Sequence, residues 1–200
     1  MRKAIITLEN ALTMLSSDPT QNRYRNLVNL GAAYMDRYEI LKEDPKDLMR
    51  AVEFWEQAHD IAEALGFMKD SANKLLTSLA EALFYACEVG VAGVEAINCA
   101  IKHLVVVHAH CREEKRASTR YKTGQCYSAL YTRLKNREDL DAAIENFRAS
   151  TEGELDREER QSALTELSRT LAKKYDALRE RIDLEEATQV CPNGRTGESR

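Results

Sequence analysis

Proline and glycine are scarce in this sequence, which has three prolines and eight glycines among its 200 residues. Both residues interrupt helices, so their scarcity is typical of helix-rich chains. No run approaches the ~20 consecutive apolar residues of a membrane span. The amphipathic start after Arg2 and Lys3 does not have the form of a signal peptide. These absences predict a helical, cytoplasmic protein that is not inserted in a membrane.

Positive charge is not in excess either. The chain has 29 lysine and arginine residues against 33 aspartate and glutamate residues, a net charge of −4 at pH 7. Such a balance gives no electrostatic reason to bind nucleic acid or anionic lipid. Acidic residues are interleaved with the densest basic cluster (Lys173, Lys174, Arg179 and Arg181), which favours a solvated helix face. We expect no nucleic-acid or membrane partner.

Signals for a cofactor are also missing. The turn Gly90-Val91-Ala92-Gly93 is not followed by the Lys-Ser/Thr of a phosphate-binding loop. No Cys-x-x-Cys pair occurs, and the number of cysteines is odd, which favours reduced and mostly buried thiols in an intracellular chain. The five cysteines are Cys87, Cys99, Cys111, Cys126 and Cys191.

What the sequence does contain is a repeat. Four stretches share one pattern, in which an apolar or β-branched residue precedes a small one, and bulky residues follow three and seven positions after the small one. The pairs that open them are Leu30-Gly31, Leu79-Ala80, Thr123-Gly124 and Leu167-Ser168. The last bulky residues, Tyr38, Cys87, Tyr131 and Tyr175, are spaced by 49, 44 and 44 residues. A period in this range predicts stacked supersecondary units.

A second motif recurs in phase with the first. It places an Asp-Leu pair before small and apolar residues, at Asp47, Asp139 and Asp183, and is degenerate between Gly93 and Ile97. Each aspartate is a candidate N-cap. Beyond it, small and large residues alternate at helical spacing, as in Ala51-Trp55-Ala58 and Ala143-Phe147-Ser150. We therefore predict that each unit is a helix pair with small and large residues facing each other.

These residues resemble the tetratricopeptide repeat, whose first helix has the pattern Leu-Gly-x-x-Tyr and whose second has Ala-x-x-x-Phe. Leu30-Gly31-Ala32-Ala33-Tyr34 with Ala51 and Trp55 matches closely, and Thr123-Gly124-Gln125-Cys126-Tyr127 with Ala143 and Phe147 nearly as well. The units are longer than the usual length of about 34 residues. That long form is similar to repeats of large fungal proteins that carry nucleotide-binding or caspase-like CHAT domains.

The resemblance implies an all-α fold, a right-handed α-α superhelix of about nine helices, over residues 1–191. Its repeats would occupy about residues 22–66, 70–111, 115–152 and 158–191. A half-repeat at 1–18 would precede them, and a flexible tail at 192–200 would follow. Since the first helix carries apolar residues on more than one side, we expect either a segment of a longer protein or an end that pairs with a second copy.

Two constellations suggest chemistry, and we expect neither to be a site. Cys99, His103 and His110 share a helix face and are suitable zinc ligands, but Leu104–Val107 between them favours ordinary packing. A Cys–His dyad of the CHAT kind needs an α/β sheet, of which the sequence has no pattern. The prediction is no catalytic, metal or cofactor residue.

Binding remains as the expected role. In tetratricopeptide arrays the first helices line the concave face, where extended peptides or partner helices bind. Carried to this chain, the resemblance makes Ala32, Asp36, Ser78 and Glu166 groove-facing, with Tyr85 and Tyr121 as possible contacts. The candidate partner-binding residues are Arg25, Asn29, Lys74, Glu81, Lys122, Gln125 and Arg169. Asn29, Lys122 and Arg169 are residue types of a carboxylate clamp, although the clamp's ordered set is not present.

We therefore expect a protein–protein interaction scaffold with a protein or peptide ligand and no enzymatic activity. Two alternatives stay open. In the first, the chain is a non-catalytic regulatory segment of a CHAT-type protease or of an NTPase-linked sensor. In the second, it is a structural solenoid that self-associates through its N-terminal helix.

Overall fold

A computed structural model of the chain describes residues 2–15, 19–41, 44–66 and 69–178. Regular structure in these ranges consists of α-helices alone, which confirms the predicted all-α class. The eight helices are α1 (Arg2–Met14), α2 (Gln21–Leu41), α3 (Lys46–Leu65), α4 (Lys69–Glu88), α5 (Val94–His110), α6 (Glu113–Leu134), α7 (Arg137–Thr151) and α8 (Arg157–Leu178). The ninth predicted helix, which begins at Asp183, and the tail 192–200 lie outside the described residues.

The helices fall into two compact units, divided between Cys111 and Arg112. The first unit contains α1–α5 and the second α6–α8. In each unit every helix packs against the next one in the chain. The most extensive packing joins α2 to α3, α4 to α5 and α6 to α7, which are the three full helix pairs expected from the repeat. None of the eight described helices is long and apolar enough to cross a bilayer.

The paired helices are antiparallel. Arg37 near the end of α2 contacts Asp47 at the start of α3, whereas Gly31, further back in α2, faces Trp55, further along α3. In the second unit, Gly124 faces Phe147. The connections are short, as expected for helical hairpins, with three residues between α3 and α4 and two between α6 and α7.

One contact holds the same place in two hairpins. A methyl group on Gly31 would overlap the indole of Trp55, and one on Gly124 would lie 2.8 Å from ring carbons of Phe147. The backbone of the first helix therefore lies directly against an aromatic ring of the second. Trp55 also donates a hydrogen bond from Nε1 to the Val28 carbonyl at 3.1 Å. This arrangement matches the prediction that small and large residues face each other.

The middle hairpin, formed by α4 and α5, has different residues at the positions of the glycine and the aromatic ring. Ala80 corresponds to Gly31 in the repeat, and Ala100 corresponds to Trp55 when Ala96 is aligned with Ala51. Both Ala80 and Ala100 are buried. In this hairpin, small residues therefore stand at both positions that the glycine and the aromatic residue occupy in the other two.

The second unit has its own hydrophobic core on α7 and α8, with three partly buried tyrosines of α6 around it. The buried residues are Leu140, Ala143, Ile144, Phe147, Leu167 and Leu171, and the tyrosines are Tyr121, Tyr127 and Tyr131. Of the four periodic bulky positions, Tyr38 and Cys87 are buried, whereas Tyr131 and Tyr175 are half-buried.

The predicted helix caps were wrong where the structure describes them. Asp47 lies inside the first turn of α3, where its carboxylate accepts from Arg37, and the N-cap of the helix is Pro45. Asp44 accepts from the Lys46 backbone N–H at 3.0 Å. Helix α7 begins before Asp139, and its N-cap is Asn136, whose side chain accepts from the Glu138 N–H at 3.2 Å. Both aspartates still place negative charge at the positive end of a helix dipole. Asp183 lies outside the described residues.

Candidate interaction surface

Helix α2 presents a polar stripe on the side away from its neighbours. Its buried residues are Asn26, Leu27, Leu30, Gly31, Tyr34, Met35 and Tyr38. Starting at Arg25, alternate steps of four and three residues along α2 reach only exposed side chains. These are Arg25, Asn29, Ala32, Asp36 and Glu39. At about 100° per residue these five lie within one narrow sector, opposite the buried face. We call them the α2 stripe; it contains the candidates Arg25 and Asn29.

Helix α4 carries the corresponding positions one repeat later, 49 residues further on. We call Lys74, Ser78, Glu81, Tyr85 and Glu88 the α4 stripe. Lys74, Tyr85 and Glu88 are exposed, while Ser78 and Glu81 are half-buried. The candidates Lys74 and Glu81 therefore belong to the same unit as Arg25 and Asn29.

The second unit places its candidates in a more enclosed environment. Lys122 and Gln125 on α6 are half-buried, and the Gln125 amide donates to the Tyr121 hydroxyl at 3.1 Å. One turn before Lys122, Ser118 donates to the Glu159 carboxylate of α8 at 2.9 Å. Helix α8 thus lies beside this part of α6, which explains the lower exposure.

Arg169 is exposed on α8 and forms an ion pair with Glu166 at 2.8 Å, a spacing of three residues on one helix. The Arg169 guanidinium is therefore already bound by a carboxylate. That carboxylate belongs to Glu166, which the resemblance also makes groove-facing. In each unit, then, the structure places the sequence-based candidates on the first helix of a repeat; the two units do not provide them with equal access.

Sequence reasoning missed two pairs of residues that continue the stripes of the first unit. Glu39 and Glu88 are equivalent positions, and both are exposed. The next residues, Ile40 and Val89, are also equivalent and are 68% and 41% exposed although apolar. The 49-residue offset shows in the sequence that the two positions of each pair are equivalent, but it does not show that Ile40 and Val89 are exposed.

Behind the α2 stripe, a polar network fixes the helix to α1 and α3. The Tyr34 hydroxyl donates to Glu9 at 2.5 Å, and Arg37 binds Asp47 through two hydrogen bonds of 2.5 and 2.6 Å. The Arg37 guanidinium also lies 4.8 Å from the centre of the Tyr34 ring. Burial, together with the hydrogen bond to Glu9 and its charge, raises the pKa of Tyr34 to about 12. The hydrogen bond with Asp47 raises the pKa of Arg37.

The residues considered as metal ligands do not form a site. Cys99 is exposed, His110 contacts the Val106 carbonyl at 2.9 Å, and half-buried His103 meets His59 of α3 edge-on, with ring centres 6.0 Å apart. Burial, and then the neighbouring His59 and Lys102, lower the pKa of His103. Within the described ranges, no three histidine, cysteine or acidic side chains are placed to hold a metal ion.

The described cysteines are all free thiols. Cys87 and Cys126 are buried, Cys111 is half-buried and Cys99 is exposed. Cys191 lies outside the described residues. An open cleft of about 310 Å³ in the first unit is lined by Pro19, Arg23, Gln57, Asp60, Ile61 and Ala64. Its residues belong to neither stripe.

No model of a known protein family matches this sequence, and no curated protein is significantly similar to it. The functional argument therefore depends on the residues and on their arrangement in each unit.

Proposed function

We propose that the chain is a non-catalytic, cytoplasmic protein-interaction module of the tetratricopeptide kind, which binds a peptide or a partner helix along the first helices of its repeats. The observation that supports this proposal most directly is the α2 stripe. Five consecutive positions at steps of four and three are exposed on one helix, while the opposite side of that helix is fully used in packing.

The packing of α2 favours a binding role for this face. Gly31 allows close approach of Trp55, and the pair Arg37–Asp47 fixes the start of α3. The helix is thus held rigidly from behind, so its polar face is presented in a constant geometry. A surface that does not have to be ordered on binding loses less conformational entropy when a partner binds.

Peptide display on the immobilised chain tests the proposal. We expect selected peptides to bind the purified chain in calorimetry. The double variant Arg25→Ala with Lys74→Ala should bind these peptides with about tenfold lower affinity. In the second unit, Lys122→Ala and Arg169→Ala report whether its first helices contribute. Arg50→Ala, an exposed change on α3, is the matched control and should leave affinity unchanged. Failure to select any peptide, or equal losses in the control, would contradict the proposal.

Self-association is a second candidate function, supported by α1. Ile6 and Met14 on this helix are 48% and 87% exposed although Ile5 is buried. Sedimentation of the purified chain tests it, with Ile6→Asp and Met14→Asp combined as the variant. A dimer that the double variant dissociates would support self-association, and a monomer at all concentrations would exclude it.

A further inference from the structure

Two histidines meet between successive hairpins of the first unit. His59 belongs to α3, the second helix of one hairpin, and His103 belongs to α5, the second helix of the next. The planes of the two imidazoles are nearly perpendicular, at 85°, and the ring centres are 6.0 Å apart. Both α3 and α5 pack against α4, and the two rings connect them directly. The side chains at this histidine contact therefore help to hold one hairpin against the next.

The two ring nitrogens of His59 have unlike surroundings. Nε2 faces the Glu63 carboxylate, one turn further along α3, at 3.6 Å. Nδ1 is buried and has no hydrogen-bond partner among the described residues, so the nearby acidic side chains Glu56 and Asp60 do not reach it. A neutral imidazole carries a proton on one nitrogen, whereas a charged one carries a proton on both. Charging His59 in this geometry would therefore leave a buried N–H without an acceptor.

The surroundings of His103 disfavour a charge on its ring. His103 is half-buried on α5. Burial, and then the neighbouring His59 and Lys102, lower the pKa of His103, and no carboxylate is among the causes of this shift. The charged residues of α4 with described side chains are not among those causes either; they are Lys74, Glu81 and Glu88. A proton on His103 thus meets positive neighbours on both α3 and α5.

Acid changes the sign of the interaction at the histidine contact. While both rings are neutral, their edge-on packing is favourable. Two charged rings whose centres are 6.0 Å apart repel each other, and partial exclusion of water strengthens the repulsion. Because the pKa of His103 is lowered in the folded chain, the unfolded chain binds the proton at higher pH. The stability that the contact provides is therefore complete above the ordinary histidine pKa of about 6.5, and it is lost as pH falls below that value.

We propose that the contact between His59 and His103 is an acid-sensitive switch, which holds α3 against α5 while both rings are neutral and releases the two helices when both are protonated. Release loosens the packing between two successive hairpins of the first unit. The inference goes beyond the proposed interaction function, because neither histidine belongs to the α2 stripe or to the α4 stripe.

Proton NMR of the full chain measures the charge on each imidazole. The chain has four histidines, whose ring signals can be assigned with single variants: His59, His103, His108 and His110. Titration from about pH 8 to about pH 5 covers the range in which histidines become charged. We expect His103 to titrate below the ordinary value of about 6.5, and to titrate at higher pH in His59→Phe. That variant keeps an aromatic ring at the contact and removes its charge.

Hydrogen exchange of the backbone amides measures the release itself. After correction for the intrinsic effect of pH, amides of α3 and α5 should exchange severalfold faster at about pH 5 than at about pH 7.5. Amides of α7, in a unit that contains no histidine, should keep their protection. His59→Phe and His103→Phe should each remove this acid response. His108→Gln and His110→Gln, which alter the other two histidines of α5, are the matched controls and should retain it.

Contrary outcomes are defined for the wild type and for the variants. Protonation of both rings in the wild type without faster exchange in α3 and α5 would overturn the proposal, and this comparison does not depend on whether any variant folds. An acid response that persists in both phenylalanine variants, or that disappears in His108→Gln, would also overturn it. Peptide binding through Arg25 and Lys74 is measured at neutral pH, so either proposal can fail without the other.

Discussion

The backbone of Gly31 lies directly against the indole ring of Trp55, leaving no room for a side chain on α2 at this point. The space is occupied from the other side by a ring whose Nε1 is hydrogen-bonded to the Val28 carbonyl. The same relation between Gly124 and Phe147 shows that the contact recurs in two of the three full hairpins.

Gly31→Ala should therefore destabilise the protein by up to about 2 kcal/mol. Overpacking against the indole costs about 1–3 kcal/mol, and the better helix propensity of alanine returns about 1 kcal/mol. Urea denaturation measures the change. In a Trp55→Ala background the overlap is gone, so the same substitution should become neutral or stabilising. A loss of stability that is equal in both backgrounds would contradict the packing explanation.

The ion pair between Arg37 and Asp47 should contribute more to stability than exposed pairs do. The Asp47 side chain is only 6% exposed, so Arg37→Ala leaves a buried carboxylate without its partner. We expect a loss of about 3 kcal/mol in the free energy of unfolding. Removal of the exposed pair partner in Arg50→Ala should cost less than about 1 kcal/mol. Similar losses in the two variants would show that burial of the pair has no special effect.

Ionisation of Tyr34 should destabilise the fold at high pH. Its pKa is raised from 10.0 to about 12 in the folded chain. Between these values the unfolded chain has lost the phenolic proton while the folded chain retains it, so stability falls as pH rises from 10 toward 12. Tyr34→Phe should flatten this decline in urea denaturation.

The absorbance of tyrosinate provides an independent measurement for Tyr34. Subtracting the titration of Tyr34→Phe from that of the wild type isolates the ionisation of the Tyr34 phenol. Glu9→Gln should move this ionisation to lower pH, because the substitution removes the negative charge of Glu9. A Tyr34 that titrates near 10 in the folded protein would show that burial and Glu9 have no effect.

Asn136 should stabilise α7 as its N-cap. Asn136→Ala removes the acceptor for the Glu138 N–H and should cost about 1 kcal/mol in thermal denaturation, whereas Asn136→Asp should retain most of the stability. Arg137→Ala, which removes an exposed ion pair with Asp141, is the neighbouring control with a small expected effect. If Asp139→Ala proved more costly than Asn136→Ala, the sequence-based assignment of the cap would be correct after all.

The fold was predictable because its determinants repeat. Gly31 and Trp55, and then Gly124 and Phe147, stand at matching steps, so the same spacing marks the same contact in the sequence. Helix starts were less predictable. An aspartate near a helix start is suited both to capping and to ion pairing, and only the position of Arg37 decides the role of Asp47.

Contacts between helices that are not paired in one hairpin could not be predicted. Tyr34 meets Glu9, and His103 meets His59, because of the rotation and crossing of packed helices, which the sequence period does not determine. For the candidate surface, the period identified Arg25 and Lys74 as positions. The period did not identify Ile40 and Val89 as exposed, because an apolar residue at a helix end can equally well be buried or exposed.

The glycine–aromatic contacts join residues that are near each other in the chain: Trp55 follows Gly31 by 24 positions, and Phe147 follows Gly124 by 23. Local contacts of this kind favour fast folding. During synthesis, therefore, each of these hairpins can close as soon as its second helix has emerged from the ribosome, while the remainder of the chain is still being translated.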